Sequence, residues 1–407
     1  MSDMQTGILD PNCKLLVPSN DVFEPQLSIV IPALNEEATI GLFIDWCLEG
    51  IKKIDLPTEI LIVDSSTDRT AEIALSKGAR VLKAPLRGLG RAYIDALPHI
   101  RGKYVLMGDC DCTYDFRKLE PFVEKFKQGF EYIMGSRFTG YIEPGSMPAL
   151  HQYFGTPVTT YLLNVIYGQQ FSDIHCGMRG ITLDGLLRMK LRSQSWEYAS
   201  EMVLKSVYLG LKTTEVPIHF YKDINGRVSQ HKRRGFLSPW LSGWINLKAM
   251  FVYKADFFLF WPGIICLITG MFLVLFLAGG PRIVNGLGFS LYWQMLGAFL
   301  SVLGAHLFYS AILAQLLYDF RGEVTKKWIT IFAYNRSVIL SGVFFLLGLA
   351  ATLPFLKEYI ANHFLFSQGI PNSGYLATAG IVFIVLSFIN FTSTLLTHAI
   401  YECRDNF

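Results

Sequence analysis

Residues 29–40 read IVIPALNEEATI, an apolar, β-branched run that stops at Pro32 and gives way to Asn35, Glu36 and Glu37 before a helical pattern begins. The same grammar returns at 60–74, ILIVDSSTDRTAEIA, and at 104–116, YVLMGDCDCTYDF. An apolar run of this length bounded by turn formers reads as a buried strand. Working outward, strands are expected at 27–32, 59–64, 80–83, 104–108 and 132–135, with helices at 37–50, 68–77, 90–99 and 117–127 between them. Strand and helix in regular alternation imply an α/β fold, a mostly parallel sheet with helices on both faces. In such sheets ligands sit beyond the carboxyl ends of the strands. Those ends here are Pro32 to Glu37, Asp64 to Thr70 and Asp109 to Asp111. Singly, each is an ordinary set of caps and turn formers. Together, three acidic strand ends on one edge would repel one another unless a cation or sugar hydroxyls bind there.

The rest of the chain has a different composition. Residues 1–257 carry 57 charged side chains and residues 258–407 carry 12, or 22% against 8%, and mean hydropathy is +0.34. A wholly soluble protein is excluded. A bilayer core of about 30 Å takes roughly 20 apolar residues in helix, and 258–278, 291–317, 338–356 and 376–400 qualify, none with a Lys, Arg, Asp or Glu before its end. Gln294, His306, Gln315, Asn390 and His398 are their polar residues, and the lone histidines suit packing or hydrogen bonding better than transport. The loop between the second and third spans carries Arg321, Lys326, Lys327 and Arg336, which places it, both termini and the first domain on the cytoplasmic side. Phe236, Trp240, Trp244, Leu247 and Phe251 recur at helical spacing just before the first span, the pattern of a helix lying on the membrane surface at 236–257.

A net charge of +3 without a basic tail argues against nucleic acid as a partner. Seven scattered cysteines, never spaced CxxC, argue against a disulfide framework or zinc site. No basic segment leading into an apolar run opens the chain, so no cleavable signal peptide is expected.

With APLRGLGRAYIDAL at 84–97, IMGSRF at 133–138 and SDIHCGMRGIT at 172–182, the three strand-end motifs fall in the order found in GT-A-type family 2 glycosyltransferases. The chain resembles in particular the polyprenyl-phosphate hexose transferases, among them dolichyl-phosphate mannose synthases and polyprenyl-phosphate glucosyltransferases. The resemblance covers about residues 27–235. It implies an N-terminal extension at 1–26, a GT-A domain at 27–235, the interfacial helix at 236–257 and a membrane domain at 258–407. It departs from the family at Ser65, where Asp is frequent, and at Cys110 and Cys112, where small residues are usual; packed strand-end thiols are expected there rather than a soft-metal site.

On this resemblance, Pro32, Ala33, Asn35 and Asp64 wall and hydrogen-bond the base of a nucleotide sugar, and Glu36 either meets the ribose or complements a helix dipole. Asp111, with Asp109 orienting ribose, sugar or ion, is the candidate holder of Mg²⁺ or Mn²⁺ at the leaving diphosphate. Asp115 is either a neighbour of that site or a cap for a helix starting at Phe116. Arg87, Gly88, Gly90 and Arg91 form either a phosphate-binding turn or an ordinary glycine turn. A phosphate acceptor is already ionised near pH 7, so cations rather than a base are called for. Arg137, Arg179, Arg227 and Lys232 are the candidates, with Arg233 and Arg234 open between acceptor and lipid contacts. Asp173 organises Arg179 or contacts acceptor, while Glu197 and Glu201 cover the site or pair with Arg179 or Lys232.

The function implied is inverting transfer of one hexose from a UDP- or GDP-sugar to polyprenyl or dolichyl phosphate. Two other acceptors stay open. A hydroxyl lipid such as diacylglycerol would need Asp173 or Glu201 as base. A processive polysaccharide synthase would need Gln-x-x-Arg-Trp, and the chain has only Gln230-His231-Lys232-Arg233-Arg234. A non-enzymatic nucleotide-sugar-binding transport or scaffold protein is the remaining class.

Overall fold

The computed structural model describes residues 12–85, 87–195, 197–224, 248, 251, 254–319, 322–365 and 371–405. The chain divides into two units, Met1–Phe251 and Val252–Phe407. Arg227, Lys232 and the interfacial segment expected at 236–257, apart from 248, 251 and 254–257, lie outside the described residues.

The first unit is built on one sheet with eight strands among the described residues: β1 (Lys14–Leu16), β2 (Leu27–Ala33), β3 (Thr58–Asp64), β4 (Arg80–Lys83), β5 (Tyr104–Met107), β6 (Tyr132–Ile142), β7 (Arg179–Thr182) and β8 (Thr213–Phe220). Their spatial order is β1-β4-β3-β2-β5-β7-β6-β8. β4, β3, β2 and β5 run parallel, and β6 runs parallel to β8, while β7 is antiparallel to both its neighbours and β1 to β4. This is the mostly parallel GT-A sheet the motifs imply. β3 is buried along its whole length and β2 nearly so, which is why both read as unbroken apolar runs. Helices α1 (Ile40–Ile51), α2 (Thr70–Ser76), α3 (Leu89–Ala96), α4 (Glu120–Lys127), α5 (Thr156–Tyr167), α6 (Leu183–Met189) and α7 (Glu197–Leu209) accompany the sheet. The core joins Ile29, Ile31 and Ile62 to Phe43, Phe116, Phe122 and Phe126.

Three strands escape the sequence pattern. β1 is too short for alternation to register, β7 reads RGIT with Ile181 its one large apolar residue, and β8 contains Pro217, which argues against a strand except at an edge, where β8 lies. β6 runs seven residues beyond its expected end, through an irregularity between Ser136 and Tyr141. The helix expected to open at Phe116 begins at Glu120.

Among the described residues, the second unit contains four helices long and apolar enough to cross a membrane: α8 (Ala255–Phe276), α9 (Leu291–Leu317), α11 (Tyr334–Ala361) and α12 (Asn372–Asp405), the last over Asn372–Cys403. The short helix α10 (Glu323–Ile331) stands between α9 and α11, and a hairpin of β9 (Arg282–Val284) and β10 (Leu287–Phe289) joins α8 to α9. α8 and α9 approach closely where a Cβ on Gly270 would sit 2.4 Å from the Ser301 nitrogen. Several polar side chains in these helices are paired: Gln294 donates to the Tyr375 carbonyl, Asn390 to the Ser337 carbonyl and Ser341 hydroxyl, and the His398 ring meets the Phe332 carbonyl. α8 begins three residues before the apolar stretch 258–278 and so contains Asp256, which accepts from Gln315, itself an acceptor for the Trp328 indole N–H.

At the amino end of β3, Glu59 is 1% exposed and accepts from Arg80, Arg101, Ser28 Oγ and the Arg101 amide. Removing one member of such a buried cluster strands the rest without compensation. Glu59→Gln is expected to lower stability by roughly 3–5 kcal/mol, read by chemical denaturation of the detergent-solubilised protein.

Candidate active site

Three strand-end segments meet at the carboxyl edge of β2, β3 and β5, and the first two are stitched together. The Ser65 amide donates to the Ala33 carbonyl and the Asn35 amide to Ser66 Oγ, while Asn35 Oδ1 accepts from the Thr67 amide. The Glu36 amide donates to Thr70 Oγ1, the Glu37 amide to Asp68, and the Arg69 amide to Glu37. Asn35 holds a left-handed φ of 56°, which asparagine tolerates better than most residues. Glu36 is 7% exposed, accepts from Thr39 Oγ1, and its carbonyl receives the Thr39 and Ile40 amides at the start of α1. It therefore closes the turn into α1.

Asp64 is 1% exposed; Lys83 Nζ lies 2.7 Å from Oδ2, and the Ser66 amide donates to Oδ1. Lys83 is a candidate site residue that sequence reading missed, because a lysine ending a strand carries no signal of its own. At the turn into α3, a Cβ on Gly88 would sit 2.3 Å from the Gln194 carbonyl oxygen and one on Gly90 2.0 Å from that of Ser193. The approach of residues 193–194 accounts for both glycines. Arg91 is buried and paired with Asp95, so of the two arginines in this turn Arg87 is the exposed one.

Asp109 and Asp111 follow β5, both partly exposed. Asp109 Oδ2 lies where a Cβ on Gly177 would be 2.7 Å away, which brings the segment after Asp173 against the DxD turn. Asp111 Oδ1 accepts from the Thr113 amide and hydroxyl. Cys110 and Cys112 are buried in the core, with Cys110 Sγ toward the Pro32 carbonyl and Cys112 Sγ toward the Thr39 carbonyl. No group of three His, Cys, Asp or Glu side chains that could hold a metal occurs among the described residues. Two hard carboxylates with the thiols turned inward suit an ion such as Mg²⁺, which takes one or two carboxylates and completes its shell from phosphate and water. Asp115 is 4% exposed and engaged by Arg117 and the Tyr221 hydroxyl, apart from this pair.

A second cluster surrounds Asp173, which is fully buried. Arg137 grips it through Nε (2.6 Å) and Nη2 (2.9 Å), and the Arg137 and His175 amides donate to it as well. Burial by itself would lower the Arg137 guanidinium pKa, and the adjacent Asp173 carboxylate more than reverses this. Glu215 supports the loop by accepting from the Ser172 amide, the Ser172 hydroxyl and the Asp173 amide. His151 lies within electrostatic range, its pKa lowered by burial and then by Arg137. Neither Glu215 nor His151 belongs to a motif, and only folding brings them here.

Two expectations are corrected. Asp173 organises Arg137, not Arg179. Arg179 is 3% exposed and donates to the carbonyls of Cys176, Ile174 and Ala199 and to the Tyr132 hydroxyl, which occupies four of its five N–H groups. It braces the loop rather than presenting a cation to phosphate. Glu201 likewise pairs with Lys205 and accepts the Arg192 and Ser193 amides, and so anchors the strip that presses on Gly88 and Gly90.

Residues 28–187 match the model of the family described as Glycosyl transferase family 2. The low-salt glycan biosynthesis hexosyltransferase Agl6 of Haloferax volcanii is 35% identical over 344 residues, 83% of this chain and 81% of that protein. A dolichyl-phosphate hexose transferase of the same organism is 31% identical over 48% of this chain and 82% of its own length. Among solved structures, glucosyl-3-phosphoglycerate synthase from Mycobacterium tuberculosis, in complex with Mn²⁺, uridine diphosphate and glucosyl-3-phosphoglycerate, matches 57% of this chain and 80% of its own at 19% identity and a TM-score of 0.43.

Asp173→Asn is expected to cost about 3–5 kcal/mol, more than Arg137→Lys, because it leaves a buried guanidinium uncompensated; denaturant titration of both variants checks the order. His175 carries a pKa lowered to about 4, burial outweighing the attraction of Asp173. An unfolded histidine binds its proton below about 6.5, so stability should be intact above that pH and fall as pH drops toward 4. His175→Gln should flatten that part of the stability curve.

Proposed function

The chain belongs to glycosyl transferase family 2, and from that premise we propose that it transfers a single hexose, with inversion, from a UDP- or GDP-sugar to polyprenyl or dolichyl phosphate at the cytoplasmic face of a membrane. The observation that carries the choice of acceptor is the state of the carboxylates. A hydroxyl acceptor requires a carboxylate positioned to take its proton. Both candidates for that task are committed, Asp173 to Arg137 and the His175 amide, and Glu201 to Lys205 and two backbone amides. A phosphate monoester needs no base, since its second pKa is near 6. The dolichyl-phosphate hexose transferase named among the relatives supports the same acceptor class.

The base of the donor lies along Pro32, Ala33 and Asn35, a wall held rigid by the bonds to Ser66 and Thr67, with Asp64 beneath it and Lys83 moving aside or onto the donor phosphates. Arg87 is the exposed cation at the glycine turn for the diphosphate. Asp109 and Asp111 would hold Mg²⁺ or Mn²⁺, which when bound supplies Lewis-acid neutralisation of the leaving diphosphate. Asp173 takes the Nε and Nη2 edge of Arg137 and directs the Nη1 edge toward an acceptor oxygen. That oxygen attacks the anomeric carbon, a new C–O bond forms as the bond to the diphosphate breaks, and the electron pair leaves with the nucleotide. No proton changes hands. Arg227 and Lys232 supply further positive charge to the acceptor.

The test is purified protein in detergent with undecaprenyl or dolichyl phosphate, Mg²⁺ and a panel of radiolabelled nucleotide sugars. One donor should yield a lipid-linked sugar, and Asp111→Asn should reduce the yield at least a hundredfold. Product from no donor, or undiminished product from the variant, overturns the proposal, while transfer to diacylglycerol would select a hydroxyl acceptor.

A further inference from the structure

Residues 144–172 contain no Lys, Arg, Asp or Glu, a run of 29 inside the charge-rich part of the chain. It folds as a π turn, His151–Gly155, continuing into α5, Thr156–Tyr167. α5 is apolar on two sides. Its inner side buries Thr156, Thr160, Leu163 and Ile166. Its outer side leaves Tyr153 (76%), Phe154 (58%), Tyr161 (67%) and Val165 (52%) exposed, with Leu150 and Val158 continuing the stripe. At 100° per residue Val158, Tyr161 and Val165 fall within about 60° of arc on α5, and Leu150, Tyr153 and Phe154, at and within the π turn that leads into it, add further exposed apolar surface. A helix apolar all round is ordinarily covered on every side, and an exposed contiguous patch of this kind marks an interaction surface.

We infer that this outer face docks the first unit onto the lipid bilayer, with its aromatic side chains at the headgroup level. The chain itself brings that occupant. Among its described residues it carries four helices long and apolar enough to cross a membrane, and only residues 225–254 lie between the end of β8 with the four residues after it and the start of α8. Tyrosine and phenylalanine with aliphatic neighbours suit a membrane interface. A solvent-facing helix would carry charge, as α1, α2 and α4 do with Asp45, Glu72 and Glu124. α5 is fastened to the Asp173 loop: Thr159 Oγ1 lies 2.8 Å from His175 Nε2, and Asn164, on the flank of the helix, exchanges two hydrogen bonds with the backbone of Phe171. The lipid surface then lies one helix thickness, about 10 Å, from the loop that holds Arg137. The docking itself follows from the exposed face and does not depend on the proposed reaction.

The experiment uses the full chain in nanodiscs, with Cys13, Cys266 and Cys403 replaced by serine and an environment-sensitive fluorophore attached in turn through Phe154→Cys, Tyr161→Cys and, as an aqueous reference, Glu72→Cys. Emission at 154 and 161 should be blue-shifted and at least halved by doxyl-labelled lipids, and emission at 72 unaffected. Emission at 154 and 161 that matches the reference overturns the inference. So does a blue shift that doxyl lipids do not quench and that requires two copies per disc, which would assign the face to self-association. Hydroxyl-radical labelling of the unmodified protein in nanodiscs gives a reading free of substitutions: Tyr153 and Tyr161 should be at least threefold protected relative to exposed Tyr141, and equal labelling of all three overturns the inference.

Discussion

The geometry of the site depends on one strand running against its neighbours. β7 is inserted between β5 and β6, antiparallel to both, so that its first residue, Arg179, pairs with Met107 near the end of β5 and with Met134 in β6. The segment leading into β7 is thereby delivered to the carboxyl edge of the parallel strands, where Gly177 abuts Asp109. With β7 parallel, the same residues would enter from the amino edge, where Glu59, Arg80 and Arg101 form a closed ion cluster. Arg179 secures the arrangement by bonding three carbonyls and a hydroxyl across the bend. A guanidinium suits this task because its donors are planar and fixed in direction.

Charge at the carboxyl edge is divided in two. On one side Asp109 and Asp111 face outward from a turn whose cysteines pack into the core, an arrangement suited to a hard cation. On the other, Asp173 is neutralised by Arg137, and Glu215 by the amides and hydroxyl it accepts. The acidic groups that could abstract a proton are thus spent on positioning. Burial also holds the Cys176 thiol up at about 12, with Asp173 adding to the effect, so no thiolate nucleophile competes. The apolar outer face of α5, on the element bolted to this cluster, is consistent with the lipid acceptor proposed.

Much of this was legible in the chain. β2, β3, β4 and β5 announce themselves because parallel central strands are buried on both faces and leave apolar runs, and Asn35, Asp64, Asp109 and Asp111 stand at their ends. β8 was not legible, since Pro217 mimics a break, nor was the role of Gly88 and Gly90, since a glycine demanded by a nearby carbonyl looks the same in sequence as one demanded by a phosphate. Arg179 and Arg137 sit in equally suggestive motifs, and only their hydrogen bonds separate a brace from a site cation.

By itself the sequence determined what is local or periodic: the alternation of strands and helices, the split between a charged and an apolar part, and the acidic strand ends. Those follow from burial and backbone geometry acting over a few residues. The tertiary structure alone decided which charges are free and which are spent. Asp173 found Arg137, 36 residues away, Glu201 found the 192–193 amides, and Lys83 found Asp64. A charge is defined by its neighbours in space, and those neighbours come from separate strands and loops that no short window of sequence contains.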